Sequence, residues 1–66
     1  MPYVNIKLTP EGLTASKKAR IIEAVTTLLQ DELDKCPETT IVIIDEIDTD
    51  NWGIAGKTVT TRRAES

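Results

Sequence analysis

Histidine and phenylalanine are absent from this 66-residue chain, and cysteine, tryptophan and tyrosine occur once each. Each shortage removes a class of chemistry or a source of stability. Without histidine, Ser/His/Asp and Cys/His nucleophile systems have no base. With Cys36 the only thiol, neither a disulfide nor a four-ligand Cys/His metal site can form within the chain. Tyr3 and Trp52 are the whole aromatic stock, so any core is aliphatic. No apolar run approaches the roughly 20 residues that span a bilayer. The opening MPYVNIKL lacks the charged n-region and apolar stretch of a signal peptide. A lone thiol also fits a reducing compartment, so a cytoplasmic protein is expected.

Positive charge is in short supply too. Eight basic residues against 11 acidic ones leave a net charge of −3, and the isoelectric point is near 4.7. Phosphate binding wants a basic surface, so nucleic acid is not an expected partner, and the Arg62-Arg63 pair is too short to change that. A chain this small buries only about 60% of its unfolded surface. Lacking staples, it is expected to gain stability by associating with copies of itself.

What is present reads as one α/β (α+β) domain over residues 1–66. Tyr3 to Leu8 alternates, with Val4, Ile6 and Leu8 on one side and Tyr3, Asn5 and Lys7 on the other, the period of a strand. Thr9-Pro10-Glu11-Gly12 breaks it. Thr14 is a suitable N-cap, and Ile21, Ile22, Val25, Leu28, Leu29 and Leu33 form one stripe of a helix from about Ala15 to Asp34. Pro37 stops that helix. A second strand runs from about Thr40 to Ile47, and its consecutive Ile41, Val42, Ile43 and Ile44 make both faces apolar. One helix covers one face, so the other is expected to meet a second subunit. Strand, helix, strand makes a β-α-β unit with parallel strands. Trp52 to Gly56 reads as a turn or small hairpin, Lys57 to Thr61 as a short terminal strand, and Arg62 to Ser66 as a fraying tail.

Several apparent motifs carry no chemistry. NWGIAGKT ends like a phosphate loop, but Asn51 stands where the first glycine belongs, and VTTRRAES is a poor helix to receive an anion. The acidic run Asp45, Glu46, Asp48 and Asp50 lacks the glycine and distal glutamate of a calcium loop. Cys36 has no histidine to pair with as a nucleophile and reads as a filler.

The amino terminus is different. Initiator methionine is normally trimmed before a small residue, so Pro2 is expected to carry a free secondary amine at the start of a strand. An α-amino group, with a reference pKa of about 7.7–8.0, is the only neutral-pH base available to a chain without histidine. Apolar surroundings disfavour its cation and make it a usable general base. Nearby positive charge disfavours the cation as well, so Trp52 as an aromatic wall and the Arg62-Arg63 pair as the charge are the candidate sources of the shift. The bland alternative is a proline that only opens a strand.

Pro2, the VNIKL strand, Glu11-Gly12 before the helix, IVIIDEI, and Trp52-Gly53-Ile54-Ala55-Gly56 occur in an order and spacing that resembles the 4-oxalocrotonate tautomerase family over nearly the whole chain. The resemblance implies a β-α-β protomer, dimers that pair two such units, commonly a hexamer built as a trimer of dimers, and an amino-terminal proline acting as base in keto–enol chemistry. It implies Pro2 as that base and Trp52 as the aromatic that keeps the pocket apolar. The family's two substrate-binding arginines correspond to Leu13 and Ile41 here. Without their bidentate contacts, a dicarboxylate is a poor fit. Arg62 or Arg63, supplied by a neighbouring subunit, is the candidate replacement, with surface charge the alternative role for at least one of them, Lys7, Lys17 and Lys57 weaker options, and Asn51 a candidate donor to an oxyanion.

The expected function is therefore a small oligomeric tautomerase, an isomerase acting on a 2-hydroxydienoate or enolpyruvate type of acid, with no cofactor and no metal. Two other readings stay open. One is hydration or dehalogenation on the same scaffold, with Asp45, Glu46 or Asp50 activating water. The other is a non-catalytic oligomeric binding module.

Overall fold

The computed structural model describes residues 1–66. The order is β1 (Tyr3–Leu8), α1 (Ala15–Leu33), β2 (Ile41–Glu46), β3 (Gly53–Ile54), β4 (Lys57–Thr58) and α2 (Val59–Glu65), with single 3₁₀ turns at Pro37–Thr39 and Thr49–Asn51. β1 and β2 pair in parallel, in register from Tyr3 opposite Ile41 to Leu8 opposite Glu46. This is the β-α-β unit expected, followed by an antiparallel β3–β4 hairpin.

Local chemistry explains the boundaries. The Thr14 hydroxyl accepts the Lys17 N–H at 3.1 Å and starts α1. Asp34 ends it in the left-handed region at φ 54°, and its N–H together with that of Lys35 closes on the carbonyls of Gln30 and Leu29. Pro37 then opens a 3₁₀ turn, and the Thr40 hydroxyl donates to the Cys36 carbonyl at 2.9 Å. This turn takes Thr40 out of β2, which is one residue shorter at each end than its apolar run suggests. Cys36 is exposed. It is therefore not the packing filler expected, and its carbonyl is what the turn uses.

α1 lies on the face of the sheet carrying Val4, Ile6, Val42 and Ile44. Ile21, Val25 and Leu29, at intervals of four, are the half-buried residues of its stripe. Lys18 pairs with Glu46 and ties the first turns of α1 to the end of β2. No helix is long and apolar enough to cross a membrane.

The opposite face of the sheet is bare. Tyr3 is 60% exposed, Ile41 39% and Ile43 40%. On the same face Asp45 accepts from Asn5 Nδ2 at 2.9 Å and from Lys7 Nζ at 3.0 Å. Those two bonds, the Asn5 bond first, and the Lys7 charge hold the Asp45 carboxyl below its ordinary value. Asn5 Oδ1 is buried without a partner.

The carboxyl-terminal segment departs from expectation. Val59, Thr60 and Thr61 are β-branched and favour a strand, yet the strand stops at Thr58 and residues 59–65 are helical. Thr58 caps this helix by accepting the Thr61 N–H at 3.1 Å. Val59 is the one buried residue of the chain, at 8% exposure. Lys57 Nζ bonds both oxygens of Glu65 at 2.9 and 3.0 Å, closing the end of α2 back onto β4. Arg62 to Glu65 is thus ordered helix and not a fraying tail: capping and burial at Val59 outweigh weak propensity.

The hairpin turn is Ala55-Gly56, with φ of 55° and 84°. Two consecutive positive φ values match the twist of a two-residue hairpin. The hairpin and α2 form an arm that extends from the β-α-β unit. The molecule measures 45 × 25 × 15 Å with a radius of gyration of 15.3 Å, against about 11 Å for a compact domain of this length. A single copy therefore has almost no interior of its own.

Candidate active site

The strand register decides where each candidate lies. Pro2 is half-buried immediately before β1, and its carbonyl accepts the Ile41 N–H at 3.0 Å. Its backbone is thus anchored where both parallel strands begin. Met1 is 86% exposed.

Trp52 lies at the other end. Its indole Nε1–H donates to the Ile47 carbonyl at 3.0 Å, and the Ile47 N–H in turn donates to the Leu8 carbonyl at 2.8 Å. Five strand steps at about 3.3 Å each separate Tyr3 from Leu8, so Pro2 and Trp52 are roughly 17 Å or more apart along one chain. One copy does not bring them together.

The remaining candidates follow the same division. Ile41 is beside Pro2 at the head of the sheet. Leu13 is half-buried in the loop that leads into α1, at the Trp52 end. Asn51 is exposed in the 3₁₀ turn that precedes Trp52, with its N–H bonded to the Asp48 carbonyl at 2.8 Å. Arg62 and Arg63 are exposed on α2. Arg62, Glu65 and Ser66 line an open hollow of about 240 Å³ at the tip of the arm.

The lysines suggested as weaker anion ligands are mostly engaged. Lys7 is paired with Asp45 and Lys57 with Glu65, while Lys17 is exposed on the first turn of α1. Arg62 and Arg63 are the cations of the arm without a carboxylate partner, since the chain's ion pairs are Lys7–Asp45, Lys18–Glu46 and Lys57–Glu65.

The carboxylates are engaged as well. Asp45 is held by Asn5 and Lys7, Glu46 by Lys18, and Asp50 accepts the Thr60 hydroxyl at 2.5 Å. A carboxylate stabilised as the anion is a weaker base, which disfavours Asp45 as an activator of water. No group of three or more His, Cys, Asp or Glu side chains converges on one point.

Sequence reading missed the hydroxyl chain at this end. Thr49 and Thr60 are 2.6 Å apart through their hydroxyls, and Thr60 reaches Asp50. Its signal is visible only after α2 is recognised, because a strand through Thr60 would point that hydroxyl elsewhere.

Comparison with known proteins agrees with the fold. The family described as "Tautomerase enzyme" matches residues 2–62. Probable tautomerase K2 of Dickeya dadantii is 56% identical over 66 residues, covering 100% of this chain and 98% of the relative. The crystal structure of DmpI from Helicobacter pylori superposes with a TM-score of 0.83 at 42% identity, over 91% of this chain and 98% of that one. TomN, a 4-oxalocrotonate tautomerase homologue of the tomaymycin biosynthetic pathway, gives 0.84 at 30% identity over 96% and 95%. The chain belongs to the tautomerase family, among its short single-unit members of the 4-oxalocrotonate type.

Proposed function

We propose that this chain is a self-associating tautomerase in which Pro2, freed by removal of Met1, is the general base. The observation that carries this reading is the anchoring of Pro2 by the Ile41 N–H. It fixes the Pro2 backbone at a half-buried point on the rim of the sheet, which supports the reading of Pro2 as the base suited to neutral pH. Met1 is well exposed there and accessible to trimming.

The base removes a proton α to a carbonyl, or from the corresponding enol, and returns it elsewhere on the same conjugated acid. Atoms and electrons balance without a cofactor. Electrostatic stabilisation of the enolate is the larger requirement. Arg62 and Arg63, unpaired on α2, supply it from a neighbouring copy, with Asn51 as a further donor. Trp52 of that neighbour forms the apolar wall that keeps the amine neutral. Separation of Pro2 from Trp52 within one chain, the bare face of β1 and β2, and the near absence of an interior all support a site shared between copies, with a hexamer as the proposed assembly.

With Leu13 and Ile41 where guanidinium groups would bind a second carboxylate, the favoured substrate is a monocarboxylic 2-hydroxydienoate or enolpyruvate. The test is intact mass together with Pro2→Ala on an enolpyruvate. The expected results are a chain lacking Met1 and a rate loss of about 10²–10⁴-fold, the usual share of a general base. Equal rates for the trimmed wild type and the variant would reject the proposal and favour a binding module.

A further inference from the structure

Trp52 can act as a wall only if its ring is held still, and the arm that carries it has little to hold it with. β3 and β4 have two residues each. α2 has seven, far below the 12–15 or so at which an isolated helix begins to persist. Three hydrogen bonds engage Trp52 itself: Nε1–H to the Ile47 carbonyl, N–H to the Thr49 carbonyl at 3.4 Å, and its own carbonyl accepting the Val59 N–H at 2.9 Å. The ring itself is tied to the chain just past β2, while the backbone that carries it is held between the 3₁₀ turn before it and α2 after it, so the orientation of the indole depends also on how those two elements are fixed to each other.

One side-chain chain of hydrogen bonds joins those two elements. Ionised Asp50 can only accept. Thr60 therefore spends its single hydroxyl proton on Asp50 Oδ1 at 2.5 Å. The 2.6 Å contact between the Thr49 and Thr60 hydroxyls must then be donated by Thr49. The direction is fixed throughout: Thr49 to Thr60 to Asp50. Asp50 is itself oriented, because its N–H closes on Asp48 Oδ1 at 2.8 Å. Each donor in such a chain is polarised by the next, and the carboxylate terminates it with a charge-assisted bond.

We propose that Asp50 and Thr60 are positioning residues for Trp52, locking the 3₁₀ turn to α2 so that the indole keeps one orientation over the substrate. This rests on the reading of Trp52 as the wall of the site. Neither residue touches the substrate; both act through the ring.

Trp52 is the only tryptophan in the chain, so its fluorescence and near-ultraviolet circular dichroism report on the ring independently of activity. Thr60→Val and Asp50→Ala break the same bond from opposite ends, and Thr60→Ser keeps the hydroxyl. Each breaking variant is expected to red-shift the emission, weaken the near-ultraviolet signal and lower kcat/KM about fivefold, the equivalent of one net hydrogen bond. Thr60→Ser should restore both readouts, and the double variant should lose no more than either single one. Unchanged spectra in Thr60→Val and Asp50→Ala would overturn the proposal, as would spectra that shift while kcat/KM stays at the wild-type value. If one variant fails to fold, the other carries the same comparison. Trp52→Ala separates the two levels: full activity in that variant would reject Trp52 as the wall, whatever the spectra of the others show.

Discussion

Replacing Ile43 by glutamine should dissociate the assembly and unfold the released copies. Ile43 is 40% exposed on the face of the sheet that α1 does not cover, beside Ile41 at 39% and near Tyr3 at 60%. Burying a whole isoleucine side chain is worth about 1.5–3 kcal/mol, so covering the remaining two-fifths contributes about 1 kcal/mol per copy. Glutamine forfeits that and adds an amide whose unpaired burial costs about 1–3 kcal/mol. The combined loss of roughly 2–4 kcal/mol per copy weakens association between about 30- and 1,000-fold. Because Val59 is the only buried residue of a single copy, dissociation should take folding with it. Sedimentation velocity and far-ultraviolet circular dichroism across a dilution series read both events. The variant should lose mass and helical signal together, at concentrations where the wild type and the exposed-face control Glu23→Gln retain both. A variant that stays fully associated, or that becomes monomeric with an undiminished helical spectrum, would refute the reasoning.

Two further outcomes follow from local features. Ala55→Gly should stabilise the protein by about 1 kcal/mol, because Ala55 holds a φ of 55° that an L side chain adopts only at a cost; a lowered denaturation midpoint would contradict this. The Asp45 carboxyl is held below its ordinary 3.8 in the folded chain, so its contribution is complete above that pH and is lost as pH falls through the lowered value. Thermal unfolding between about pH 2 and 5 should therefore show a shallower acid limb in Asp45→Asn than in wild type, and an identical limb would dissociate Asp45 from acid sensitivity.

The β-α-β unit was legible because its signals are strong and concordant. Alternation from Val4 to Leu8, the stripe from Ile21 to Leu33, the Thr14 cap and the break at Pro37 each point to the same elements. Both-sided apolarity in β2 was legible too, and corresponds to the exposure of Ile41 and Ile43. The carboxyl-terminal helix was not legible. Three β-branched residues at Val59–Thr61 argue for a strand, and only the Thr58 cap, the burial of Val59 and the Lys57–Glu65 closure reverse that preference. Ion pairing of Lys7 with Asp45 depends on strand register, which no local pattern reveals. For the candidate site, sequence nominates Pro2 and Trp52 separately. Their location at opposite ends of the sheet already follows from parallel strands, with Pro2 before β1 and Trp52 after β2, and the register of Tyr3 opposite Ile41 and Leu8 opposite Glu46 adds the distance between them.

Titration of the Pro2 nitrogen by nitrogen-15 NMR, in assembled protein labelled at proline, addresses the catalytic claim most directly. The account predicts a secondary amine that becomes neutral near or below the ordinary α-amino range of about 7.7–8.0, with a midpoint matching the acid limb of kcat/KM. An amine that stays protonated well into alkaline solution, or an amide signal that never titrates because Met1 is still attached, would contradict it.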